Sequence, residues 1–156
     1  MFVTSHVLVG RIIGRALPDR PLTAFAVGVV SHLAMDATPH WGTAKGSPGS
    51  HEEFLRIARR DGIAGLVAIA ASVAATPPPA RRAVLAGIAG GALLDLDKPL
   101  EHFLGVNPFP EWAKRLHTAV QRESPRRLPY EVAVAIALSC TIAARARPRR
   151  SRPSSP

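Results

Sequence analysis

The stretch GIAGLVAIAASVAATPPPARRAVLAGIAGGALLDLD, residues 62–97, decides the fold class. Nineteen residues from Gly62 to Ala80 carry no charge, Thr76-Pro77-Pro78-Pro79 interrupts them, and a second apolar run leads to Asp97. Alanine- and leucine-rich runs with few aromatics favour helix over strand, and prolines mark where a helix stops. The stretch therefore reads as a helical hairpin, the end of a third helix (51–76) followed by a fourth (80–97). Outward from it, a first helix is expected over 4–16 and a second from Pro21 to about Ala37, ended by Pro39. Residues 42–50 (GTAKGSPGS) form a flexible loop. A proline-rich connection from Pro99 to Pro110 leads to a fifth helix (110–123) and a sixth (130–146). The expected architecture is all-α, a single bundle of about six helices over residues 1–144, with a disordered Arg-rich tail over 145–156.

Composition narrows the function classes. At 156 residues there is room for one domain. The formal net charge is +9, but five of the twenty bases are tail arginines, which leaves the other 144 residues with fifteen bases against eleven acids. The body is thus only mildly basic, while the tail can bind anionic lipid or nucleic-acid phosphates. A hydrophobic share of 47% excludes a disordered chain. The lone Cys140 excludes a disulfide framework and a cysteine zinc cluster. Aromatics at 5% are too few for a platform that stacks single-stranded bases. No secretory signal is evident, because Arg11 interrupts the first apolar run. The apolar runs fall in the length range where buried and membrane-inserted helices look alike. Arginines directly after the last of them are a positive-inside signal. The expectation is a membrane protein with a cytoplasm-facing C-terminus; a cytoplasmic soluble bundle is the alternative.

The chemistry concentrates in two stretches. In Ser31-His32-Leu33-Ala34-Met35-Asp36-Ala37-Thr38-Pro39-His40-Trp41, His32 and Asp36 stand four apart, so a helix stacks them on one face. Imidazole and carboxylate at that spacing can hold zinc, and the turn at Pro39 can swing His40 toward the same ion. Three ligands with one open position is the layout of a catalytic zinc. A His–Asp hydrogen-bonded pair at a helix end is the plainer alternative. In Leu94-Asp95-Leu96-Asp97-Lys98-Pro99, two acids fall where an apolar helix ends. Oxygen ligands on such a turn suit a divalent metal, and a solvated helix end with Lys98 paired to an acid is the alternative. Acids there oppose the helix dipole. His6, opening the first helix, and His117, on the fifth, gain weight from these clusters, whereas His51 reads as a surface residue.

Thr4-Ser5-His6 opening an apolar helix, Leu94-Asp95-Leu96-Asp97-Lys98-Pro99 ending another, and the downstream His117 together resemble the predicted membrane-bound metal-dependent hydrolases. The His32/Asp36/Pro39/His40 piece is similar to the HxxxD-then-His zinc signature of zinc-dependent phospholipase C and related single-strand nucleases. Lys98 stands where the membrane family usually has a histidine, and Gln121 where the phospholipase type has a glutamate. The resemblance implies a helical metal site and hydrolysis of a phosphoester or lipid-like substrate. The expected ligands are His32, Asp36 and His40, with His6, Asp95, Asp97 and His117 as a second site or outer shell. Asp97 or Glu123 is the expected general base, and Arg122 would steady a developing anion. Two other classes fit the same residues: a non-catalytic protein held together by its metal, and a basic-tailed module that binds anionic lipid or nucleic acid.

Overall fold

The computed structural model describes residues 1–43 and 50–146, so most of the expected loop and the tail from Arg147 onward lie outside the described residues. The fold is all-α. Seven helices are seen among the described residues: α1 (Val3–Ala16), α2 (Pro21–Asp36), α3 (Ser50–Ala74), α4 (Pro78–Ala92), α5 (Asp97–Leu104), α6 (Glu111–Val120) and α7 (Leu128–Ala146). Two short parallel strands, β1 (Pro39–His40) and β2 (Arg122–Glu123), pair Pro39 with Arg122 and His40 with Glu123.

Prolines start α2 and α4, where a missing N–H removes no helical hydrogen bond. The N-terminus of α1 is capped from another helix. The Asp61 carboxylate of α3 accepts the backbone N–H of Val3 (2.7 Å) and of Thr4 (3.2 Å). Burial pushes the Asp61 carboxyl up, and these hydrogen bonds offset that only in part. One further helix, α5, lies where a proline-rich connection is expected. Pro99 falls in its first turn, a position that proline tolerates, and Gly105 ends it in the left-handed conformation (φ 67°). Asp97 thus opens a helix instead of closing one, and its charge favours the dipole it was expected to oppose. The expected fifth helix stops at Val120, and residues 122–123 become β2.

The expected hairpin of the third and fourth helices is also rearranged: α4 packs chiefly on α1 and α2. Glycines make this close approach possible. A Cβ on Gly10 of α1 would fall 2.4 Å from the Gly87 carbonyl oxygen of α4, and one on Gly90 would fall 2.1 Å from the Phe25 oxygen of α2. The apolar core is small: Val7, Val84 and Ile88, with Ala68, Ile69 and Ala92 against them. Much of the remaining interior is polar, and His6, His32, His40, Glu131 and Asp36 are among the largest fully buried side chains.

Gly87→Ala forces α4 away from backbone atoms of α1, and is expected to destabilise the fold by about 1–3 kcal/mol. Gly62→Ala, in α3 with no heavy atom within 4 Å of the added carbon, is expected to stabilise it by about 0.5–1 kcal/mol. Thermal unfolding followed by circular dichroism compares the two, and equal shifts would contradict the packing described.

Candidate metal centre

Four elements deliver the polar groups to one end of the bundle. His32 and Asp36 come from the last turns of α2, and both are fully buried. His6 comes from the start of α1, Asp95 from a 3₁₀ turn after α4, and His117 from α6. His32, Asp36, Asp95 and His117 each offer one ligand atom, and the four atoms lie within 4.8 Å of one another. Asp36 Oδ2 is 3.3 Å from His32 Nε2 and 3.2 Å from His117 Nε2. The two imidazole nitrogens are 3.1 Å apart, and Asp95 Oδ1 is 3.9 Å from His117 Nε2.

The partners behind the rings decide which nitrogens carry protons. His32 Nδ1 lies 2.7 Å from the Gly91 carbonyl oxygen, which can only accept, so Nδ1 donates and neutral His32 directs the lone pair of Nε2 inward. His117 Nδ1 lies 3.3 Å from Asp97 Oδ2, again an acceptor, so its Nε2 is the inward lone pair of the neutral ring. Two imidazole lone pairs then face a carboxylate oxygen and each other, and the Gln121 amide N–H, 3.0 Å away, can meet only that of His117. The contact of His32 Nε2 with Asp36 Oδ2 stays repulsive until a cation or a proton enters it. Without a metal the proton goes to His117: burial would lower its pKa, but Asp36 and Asp97, with the charge of Asp95, push it up to about 9. Burial alone would raise the Asp36 carboxyl, yet the imidazoles of His117, His32 and His6 outweigh it and hold the group ionised. Two imidazole nitrogens and two carboxylate oxygens are a donor set that zinc accepts.

Asp97 reaches the centre through the back of His117, the carboxylate–histidine arrangement that orients a metal ligand. His40 is buried but turned elsewhere: its Nδ1 is 2.9 Å from the Thr38 carbonyl, β1 carries it into the pairing with β2, and it is not in the group of four. Asp95 and His117, expected as a second site or outer shell, lie with His32 and Asp36 where His40 was expected. Glu123 faces Lys98 at 3.5 Å, and Arg122 is exposed on β2.

Three groups near the centre, Met1, Asp61 and Glu131, are not singled out by the sequence, and Gln121 is read there only as a departure from the phospholipase pattern. The Met1 α-amino nitrogen is 2.7 Å from Asp36 Oδ1. Gln121, one turn after His117, brings its amide to 3.0 Å from Nε2. Asp61 caps α1, and Glu131 of α7, fully buried, accepts the backbone N–H of Phe2 (2.9 Å) and of Trp41 (3.2 Å). The i,i+4 spacing of Gln121 on His117 was a readable signal. Glu131, an acid opening an otherwise apolar run, was another.

Asp97→Asn leaves His117 without its carboxylate partner, and is expected to weaken metal binding about 10–100-fold with helix content unchanged. Competition against a chromogenic chelator measures it; an unchanged affinity would remove Asp97 from the centre. Compared with protein-family models, with curated proteins and with solved structures, the chain matches none of them.

Proposed function

We propose that this chain is a membrane-associated hydrolase that uses a divalent cation, zinc by the character of its donors, on a phosphoester or lipid-like substrate. The observation that carries the reading is the inward convergence of the His32 and His117 Nε2 lone pairs on Asp36 Oδ2, with Asp95 beside them. A divalent cation bound there supplies the Lewis-acid chemistry of hydrolysis. The chain's own residues do the rest. The Gly91 carbonyl and the Asp97 carboxylate fix the two ring orientations. His32, Asp36 and His117 are buried and Asp95 is 14% exposed, so Asp95 is the member of the group nearest solvent. Lys98 follows Asp97 in the chain, and its ammonium is paired with Glu123 at 3.5 Å.

The membrane part rests on the distribution of polarity. Imidazoles and carboxylates are buried, while Leu22 (85%), Leu66 (68%), Val30, Ile63, Val67 and Ile136 are exposed. In water this arrangement leaves apolar surface unburied, whereas lipid accommodates it. Pro125–Arg145 is by length and composition apolar enough to cross a bilayer, and 6% of its apolar 18-residue window is buried inside the fold.

Full-length protein purified under metal-replete conditions is expected to retain zinc by elemental analysis and to sediment with membranes after carbonate washing. His32→Ala and Asp36→Ala are expected to lose the metal. Hydrolysis of bis(p-nitrophenyl) phosphate is expected to stop on chelation and return with added metal. Equally low metal in wild type and variants would end the hydrolase reading. Bound metal with no turnover on phosphodiester, phosphomonoester or phospholipid would favour a purely structural cation. Recovery in the soluble fraction would remove the membrane.

A further inference from the structure

We infer that the centre has a second divalent-cation subsite, bounded by His6 Nε2, Asp36 Oδ1 and Asp95 Oδ2, with both carboxylates bridging it to the first. The inference rests on the proposed cation among His32, Asp36, Asp95 and His117, and extends it to a part of the cluster which that cation leaves unmet.

The two carboxylates divide their oxygens in the same way. Asp36 turns Oδ2 to His32 and His117 (3.3 and 3.2 Å) and Oδ1 to His6 Nε2 (3.2 Å). Asp95 turns Oδ1 to His117 Nε2 (3.9 Å) and Oδ2 to His6 Nε2 (3.7 Å). Each acid thus has one oxygen on the His32/His117 side and one on the His6 side, the disposition of a carboxylate that joins two metals. His6 is fully buried and stacked on His32, with ring centroids 4.1 Å apart, which keeps its Nε2 aimed between the two acids. A single proton on that nitrogen bonds Asp36, the nearer acid. Asp95 Oδ2 is then left as it stands here, shielded from solvent with no hydrogen-bond partner. A divalent cation would meet both oxygens and the imidazole at once, with the ring proton then on Nδ1, which has no hydrogen-bond partner. The Met1 α-amine also touches Asp36 Oδ1 (2.7 Å), and a carboxylate oxygen has a second lone pair for a metal. One imidazole and two carboxylates suit zinc or manganese. Two cations under shared carboxylates fit the oxygens of a phosphoryl group, which narrows the substrate class from esters in general to phosphoesters.

The test loads the full-length, metal-free protein in detergent with Mn2+, counts metal per chain after desalting, and records electron paramagnetic resonance. Wild type is expected to hold two Mn2+ per chain with an exchange-coupled spectrum. His6→Ala is expected to hold one, with an uncoupled spectrum, and circular dichroism checks that it folds. If His6→Ala does not fold, wild-type stoichiometry and coupling decide by themselves, and Asp95→Asn, at a partly exposed position, is the second variant, expected to lose the coupling. One uncoupled Mn2+ in wild type that His32→Ala abolishes would overturn the second subsite and leave the first intact. No Mn2+ in wild type would overturn both. A coupled pair that survives in His6→Ala would overturn the assignment to His6.

Discussion

The structure turns on one carboxylate. Asp36 is fully buried and lies at the C-terminal end of α2, where the helix dipole repels negative charge. An ionised acid in that position is costly unless it is paired. Its partners come from everywhere else in the chain: His6 and the Met1 amine from the start of α1, His117 from α6, and His32 from one turn back on its own helix. The glycine contacts that press α1 and α2 against α4 bring His6 and the Met1 amine to Asp36. Gly91 joins the two requirements. It lies against the His6 carbonyl, where a Cβ would fall 2.8 Å from the oxygen, and its own carbonyl sets the ring of His32. Backbone packing and ligand orientation are therefore one constraint seen from two sides.

Much of this was legible in the residues. Proline punctuation and alanine-rich runs mark six of the seven helices seen among the described residues, because such signals are local, and miss α5. The i,i+4 pair His32/Asp36 and the acids at 95 and 97 were equally local, and the chain does bring His32, Asp36 and Asp95 together. His40 shows where local reasoning stops. Proximity in sequence suggested that a turn at Pro39 would return it to Asp36, but β1 pairs with β2, and β2 is eighty residues away in the chain. The nitrogen that does arrive, from His117, is brought by that same distant segment. Spacing cannot report which of two histidines a tertiary contact will favour. Asp97 departs from its expected place for a related reason: Pro99 does not end a helix but lies in the first turn of α5, where a proline is compatible with starting one.

The second organising feature is the inversion of polarity between interior and surface. Glu131 illustrates it. It sits on α7, the most apolar long helix, yet it is fully buried, with its two oxygens on the N–H groups of Phe2 and Trp41. In a bilayer an acid on such a helix is tolerated only when it faces protein, and it then serves as a directional tie where apolar contact alone supplies none. The tie reaches the residue next to Met1 and the residue next to His40, the two chain segments that flank the proposed centre. Phe2 and Trp41 also meet edge to face, with ring centroids 6.0 Å apart, so the polar tie and the aromatic contact hold the same two segments.

Helix direction explains why the charges gather at this end. Gly14 of α1 lies against Ala83 and Val84 near the start of α4, while the His6 carbonyl lies against Gly91 near its end, so the two helices run antiparallel. The N-terminus of α1 thus meets the C-termini of α2 and α4. Two negative dipole ends and the carboxylates of Asp36 and Asp95 face one positive dipole end. Asp61 already occupies the free amides of that positive end, so little of its potential is left to balance the acids. An end of a bundle built in this way draws positive charge whatever its source, a proton on His117, an ammonium at Met1 or a divalent ion. The proposed metal competes with the proton on His117 and shares the Asp36 carboxylate with the Met1 ammonium, which keeps one lone pair of Oδ1. Its binding is coupled to release of that proton, because a ligand nitrogen must lose its proton before it can hold a cation.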